Sequence, residues 1–252
     1  MIRFLVIAAA LALVTAGCSG ARERTAPEVA GYVGTYLRAH PDVKRVAKND
    51  GRVVTLITRG RDHDLSSDTP AARLVHVNGV SYLRIEPDER WDQVTDEHGP
   101  YNAFGKALVC GLGECLVNAH RVHEALATGG RVTGPVSEGG LDRYSVAIDV
   151  RAAVAALDLG AFLEVYDPVP PLQDMQDEYD LVRAGDRAAG ERVRAGLLAE
   201  FGPAATYHLW LDGRGRPVRA RLESRTPVEI SYSDWDATTV TAPPAEQVQV
   251  LN

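Results

Sequence analysis

Cys110, Cys115, His120 and His123 fall in the series C-x4-C-x4-H-x2-H. Two thiolates and two imidazoles are a donor set for zinc, although this spacing is not that of a standard zinc finger. The two thiols can instead close a disulfide, or stay free. In one continuous helix, residues five apart have Cα atoms about 8–9 Å apart, beyond the roughly 7 Å limit for a bridge. A disulfide therefore requires a break between Cys110 and Cys115, and Gly111 and Gly113 supply permissive backbone for it. An oxidising compartment favours the disulfide over zinc and over free thiols, with His120 and His123 on the exposed side of a helix.

Other chemistry-bearing groups are weaker. Asp62-His63-Asp64 lies between Gly60 and Ser66-Ser67 and reads as a solvated loop in preference to a metal site. Asp174, Asp177, Glu178 and Asp180 read as an exposed acidic face, since the interleaved glycine of a calcium loop is missing. Gly213-Arg214-Gly215-Arg216 reads as a hairpin turn. The sequence contains no Gly-x-Ser-x-Gly elbow, phosphate-cradling glycine loop or His-Glu-x-x-His pair. The expectation is a protein that is not an enzyme, with no catalytic residue, no metal and no cofactor.

The third cysteine, Cys18, ends a different pattern. Arg3, the apolar run Phe4 to Val14 and the small residues Ala16-Gly17 make a secretory signal. That run is shorter than the roughly 20 residues that span a bilayer. With Cys directly after small residues it resembles a bacterial lipoprotein signal, departing from it at Thr15, where Leu is usual. The resemblance implies that Cys18 receives a diacylglyceryl group and becomes the new N-terminus. Residues 1–17 would be removed, 18–27 would form a tether of about 30 Å when extended, and 28–252 would form one domain. The protein is then expected outside the cytoplasm, held to the cell membrane by its lipid anchor.

The whole chain has 252 residues, with 27 Lys+Arg against 34 Asp+Glu and a formal net charge of −7. Removing the first 17 residues takes Arg3 away and makes the charge about −8. An acidic surface without a basic block argues against nucleic acid as a partner. It leaves room for an envelope protein partner.

Elements follow from periodicity and punctuation. Glu28 to Arg38 carries helical spacing through Val29, Tyr32, Val33, Tyr36 and Leu37. Arg52 to Arg59 is a β-rich run, and Ala72 to Val77 with Val80 to Glu86 flank Asn78-Gly79, a strong hairpin signal. Trp91 is expected to cap a barrel end. Gly99 to Thr128 reads as helical and holds the cysteine pair, with Phe104, Leu108, Leu112 and Leu116 at four-residue spacing. Arg131 to Val136 and Leu141 to Val150 form another hairpin, after which Asp149 caps a helix. Asp167 to Pro171 is the clearest punctuation, and Gln173 to Arg194 reads as a mobile helix, most helical over Ala188 to Phe201. Ala205 to Leu211, Pro217 to Ser224 and Val228 to Tyr232 close the chain as strands. About eight strands with interspersed helices predict an α+β fold, a curved antiparallel sheet forming a half-open barrel covered by helices.

Several phrases resemble the actinobacterial LppX/LprG-type lipoproteins with a LolA-like half-barrel, which carry cell-envelope lipids. They are Val75-His76-Val77-Asn78-Gly79-Val80-Ser81-Tyr82-Leu83 followed by Trp91, and Tyr144-Ser145-Val146-Ala147-Ile148-Asp149 leading into a helix. Leu209-Trp210-Leu211-Asp212-Gly213-Arg214-Gly215-Arg216-Pro217-Val218-Arg219 and Tyr232-Ser233-Asp234-Trp235 with Ala242-Pro243-Pro244 complete them. The Cys110/Cys115 loop and the Asp167 to Gly196 insert depart from that pattern. The resemblance implies an apolar cavity for a lipid or lipid-linked glycan. The helical face Phe104, Leu108 and Leu112 is where such a ligand is expected to meet the helices, and the Pro-rich entry and poor strand content of the insert lead to the expectation of a lid. A filled core with a protein-binding, regulatory role is the alternative.

Overall fold

A computed structural model describes residues 23–94, 108–166 and 173–250, with backbone alone for 164–166 and 173–177. Cys18, Phe104 and the Asp167 to Pro171 punctuation lie outside the described residues. Twelve strands form one sheet: β1 (Lys44–Asn49), β2 (Arg52–Arg59), β3 (Asp62–Asp68), β4 (Ala71–Val77), β5 (Val80–Ile85), β6 (Trp91–Val94), β7 (Arg131–Glu138), β8 (Leu141–Asp149), β9 (Ala204–Leu211), β10 (Pro217–Glu223), β11 (Val228–Ser233) and β12 (Val248–Val250). Their order is β12-β6-β5-β4-β3-β2-β1-β11-β10-β9-β8-β7. All pairs are antiparallel except β12 on β6, and the edges β7 and β12 do not meet. The fold is α+β with a large, open sheet.

Local chemistry explains the pairing. Asn78 and Gly79 both take positive φ, 53° and 79°, and join β4 to β5 in register. Alternation in β2 turns Val54 and Leu56 inward, and in β9 Tyr207 and Leu209. β1 joins the two halves of the sheet, pairing with β2 on one side and β11 on the other.

Helices cover the inner face: α1 (Ala26–Ala30), α2 (Tyr32–Ala39), α3 (Glu114–Val117), α4 (His120–Ala127), α5 (Val150–Ala156), α6 (Leu159–Tyr166), α7 (Gln173–Arg183) and α8 (Arg187–Phe201). The expected single helix over Glu28 to Arg38 is two, meeting at Gly31. Thr25 and Glu28 form a capping box on α1, Asp149 accepts from the Ala152 N–H at the start of α5, and Asp186 caps α8. No helix among the described residues is long and apolar enough to cross a membrane.

Sheet and helices share one apolar core. Val33, Leu65, Leu74, Leu112, Leu126, Tyr207, Leu209 and Ile230 are each 2% exposed or less. Burying such a side chain contributes about 1.5–3 kcal/mol. A second, smaller cluster of Val75, Val77 and Trp91 lies apart from it. Trp91 therefore sits within β6, flanked by the guanidiniums of Arg73 and Arg84, and not over a barrel end.

Asp62-His63-Asp64, expected as a loop, lies in β3. Arg73 on β4 makes this possible: its guanidinium grips both oxygens of Asp64, leaving that residue 7% exposed, while His63 stacks on His76 at 5.1 Å. The insert is not one mobile helix either. α8 buries Ala189, Leu197 and Phe201, and Arg194 donates to the carbonyls of Val154 and Leu157.

Candidate functional site

The cysteine segment builds the first side of the site. Residues 108–111 are helical, Gly113 takes φ 101°, and α3 starts anew at Glu114. Cys110 and Cys115 are thereby brought to a Cα separation of 5.3 Å and bonded. Gly113 also passes close to the sheet: a Cβ there would lie 2.5 Å from Val54 Cγ2. With both sulfurs in the bridge, no thiolate faces His120 or His123, and no group of three metal-ligating side chains occurs among the described residues.

Both histidines are buried, at 6% and 1% exposure, which corrects the expectation of an exposed helix side. Together with Ala127 they occupy the i, i+3, i+7 face of α4 that packs inward. Their Nδ1 atoms have no hydrogen-bond partner. Burial drives both pKa values down to about 3, with Arg45, Arg121 and Arg38 adding to the effect at His120. Both are therefore neutral imidazoles at neutral pH.

His120 forms part of the floor of a cleft of about 890 Å³ between α2, β1, α3, α4 and the α5–α6 junction. The other floor residue is Arg45, on the core-facing side of β1 and 9% exposed. Its Nη1 donates to Asn118 Oδ1 at 2.6 Å, while its Nε is buried without an acceptor. Leu37, Leu157, Ala161 and Phe162 supply an apolar wall, and Arg38, Glu114, Arg121 and Glu124 a charged one.

The cleft lining carries three cations, Arg38, Arg45 and Arg121, and three carboxylates, Glu114, Glu124 and Asp158. No ion pair joins Glu114 or Glu124 to Arg38, Arg45 or Arg121 among the described residues. Burial raises the Glu114 pKa, opposed by Arg45 and Arg121. The Glu124 carboxylate fits only because Gly31 and Gly34 lack side chains: a Cβ at either would meet it at 2.9 and 3.2 Å.

Leu112 belongs to the filled core and Leu108 is half-buried beside it; neither lines the cleft. Arg45 was not singled out from sequence, and His120 only as a possible zinc donor beside the cysteines. The available signal was an arginine alternating inward with Ala47 beside a strongly β-forming run.

A second cleft, of about 610 Å³, lies where Gly129-Gly130-Arg131 meets the ends of β8 and β9. On β8 to β10, Ser145 Oγ lies 2.8 Å from His208 Nδ1, and His208 Nε2 lies 3.4 Å from Glu223 Oε2. These three lie on adjacent strands and line neither of the two clefts.

The fold and cleft define an open antiparallel sheet with a helical layer and an amphipathic recess within that layer. No family model matches the chain, and no curated protein matches it. Among solved structures it is similar to the Mycobacterium tuberculosis lipoprotein LppX, at 9% identity and a TM-score of 0.41, over 85% of this chain and 96% of that one.

Proposed function

We propose that this chain is a non-enzymatic, extracytoplasmic lipoprotein that binds a lipid or lipid-linked glycan, with Cys18 carrying the membrane anchor. The carrying observation is the cleft above Arg45 and His120. Its 890 Å³ falls in the usual range of ligand sites, and its walls divide into an apolar and a charged side. That division suits an amphiphile. At about 0.8 kcal/mol per buried CH2, a chain of roughly 14 carbons gains on the order of 11 kcal/mol before ordering costs. Retention then needs walls and no catalytic group.

The described interior shapes the proposal. The acyl chain enters the cleft among the helices, against Leu37, Leu157 and Phe162. α8 is anchored in the core, and α7 is held to it by the Glu178–Arg192 ion pair and the buried Tyr179.

The test is uptake of a fluorescent phospholipid by the full chain and by Ala125→Trp. Ala125 lines the cleft on α4 and is only half-buried, so a large side chain there obstructs the site without entering the core. Uptake by the natural chain and its loss in the variant support the reading. Equal uptake by both contradicts it.

The large cluster of buried side chains between sheet and helices favours a second reading, in which the surface docks an envelope protein. Failure of lipid uptake by the natural chain would favour it.

A further inference from the structure

We propose that the Arg45 end of the cleft binds the anionic group of the ligand, a phosphate or carboxylate, an inference that rests on the cleft being the ligand site. Arg45 carries the argument. Its Nε–H is buried without an acceptor, although Nη1 of the same guanidinium is held by Asn118. A buried donor on a charged group calls for an acceptor, and an anion supplies it.

Its surroundings point the same way. Arg38, Arg45 and Arg121 all act electrostatically on His120, so three guanidiniums from α2, β1 and α4 converge on one floor. His120, kept neutral, offers an Nδ1 with no partner in the protein. Three carboxylates, Glu114, Glu124 and Asp158, share the lining with these cations. Glu114 acts on Arg45 and Arg121 electrostatically, against the burial that raises its pKa, and Glu124 is seated against Gly31 and Gly34. Phosphate and carboxylate oxygens match the fork of an arginine, and a phosphate can take two forks at once. The apolar wall formed by Leu37, Leu157 and Phe162 then receives whatever hydrophobic part the anion carries.

The anion can be a lipid headgroup or a free phosphate, and calorimetry on the full chain separates them. The probes are dihexanoyl phosphatidate, dihexanoylglycerol and inorganic phosphate. The expected result is that phosphatidate binds about tenfold or more tighter than the neutral diacylglycerol, and that this preference falls about tenfold in Arg45→Gln and in Arg121→Gln. Arg121 is exposed, so its variant keeps the test alive if the Arg45 variant does not fold. Arg187→Gln, on an exposed side chain of α8 outside the cleft, should leave the preference unchanged. Binding of inorganic phosphate that is lost in Arg121→Gln, with no binding of either lipid, would uphold the anion site and refute the lipid reading. Equal binding of the two lipids, or a preference untouched by both arginine variants, would overturn the anion site while leaving the lipid reading standing.

Discussion

Arg45 donates to Asn118 Oδ1 at 2.6 Å and so ties the central strand β1 to the turn between α3 and α4. The bond fixes one end of a guanidinium that belongs to the cleft lining. The helical layer and the sheet are joined there by a polar contact. Asn118→Leu removes the acceptor and leaves a buried charge, at a cost of about 2–3 kcal/mol. Urea unfolding of the variant against the natural chain measures it, and no loss would show that Arg45 is held by other means.

His120 and His123 give the protein a pH-dependent stability of predictable sign. Their folded pKa values of about 3 lie below the unfolded value, so the unfolded chain binds protons first. Stability is fully present above about pH 6.5 and is lost as pH falls towards 3, each histidine contributing about 1 kcal/mol per pH unit. Glu114, with its raised pKa, opposes this in part. Unfolding free energies at pH 7 and pH 5 test it, and His123→Leu should flatten the difference.

The Cys110–Cys115 bridge closes a short loop, and the entropy it removes from the unfolded chain is correspondingly small. The expected stabilisation is about 2 kcal/mol. Thermal unfolding of Cys110→Ala/Cys115→Ala should show that loss, together with weaker ligand binding, because α3 carries Glu114 into the cleft wall.

Gly113 meets two constraints at once, a left-handed φ of 101° and the 2.5 Å approach a Cβ would make to Val54. Gly113→Ala should therefore destabilise by about 2 kcal/mol or more. Gly111, with open space around it, should tolerate the same change. A pair of melting curves distinguishes the two positions.

Where residue type and position agreed, the fold was legible. Asn78-Gly79 specified its hairpin, Asp149 its helix cap, and the Cys pair its broken helix. Where one side chain satisfied another's polarity, it was not. β3 reads as a loop until Arg73 is placed across Asp64, and β1 hides because Arg45 and Ala47 face the core while Val46 faces away. The short edge strand β12 gains its definition from β6, with Val248 opposite Trp91, far away in sequence. The cleft was hidden for the same reason. Arg38, Arg45, His120 and Phe162 belong to four separate elements, and only the packing of α2 and α6 on α4, and of α3 on β1, assembles them.

The central claim, that the cleft holds a lipid, is most directly tested by purifying the full chain from its membrane, extracting it with organic solvent and identifying bound lipid by mass spectrometry. The account predicts about one amphiphile per chain, beyond the lipid attached at Cys18, and none in Ala125→Trp. An extract empty of lipid, even after incubation with total envelope lipids, would contradict it.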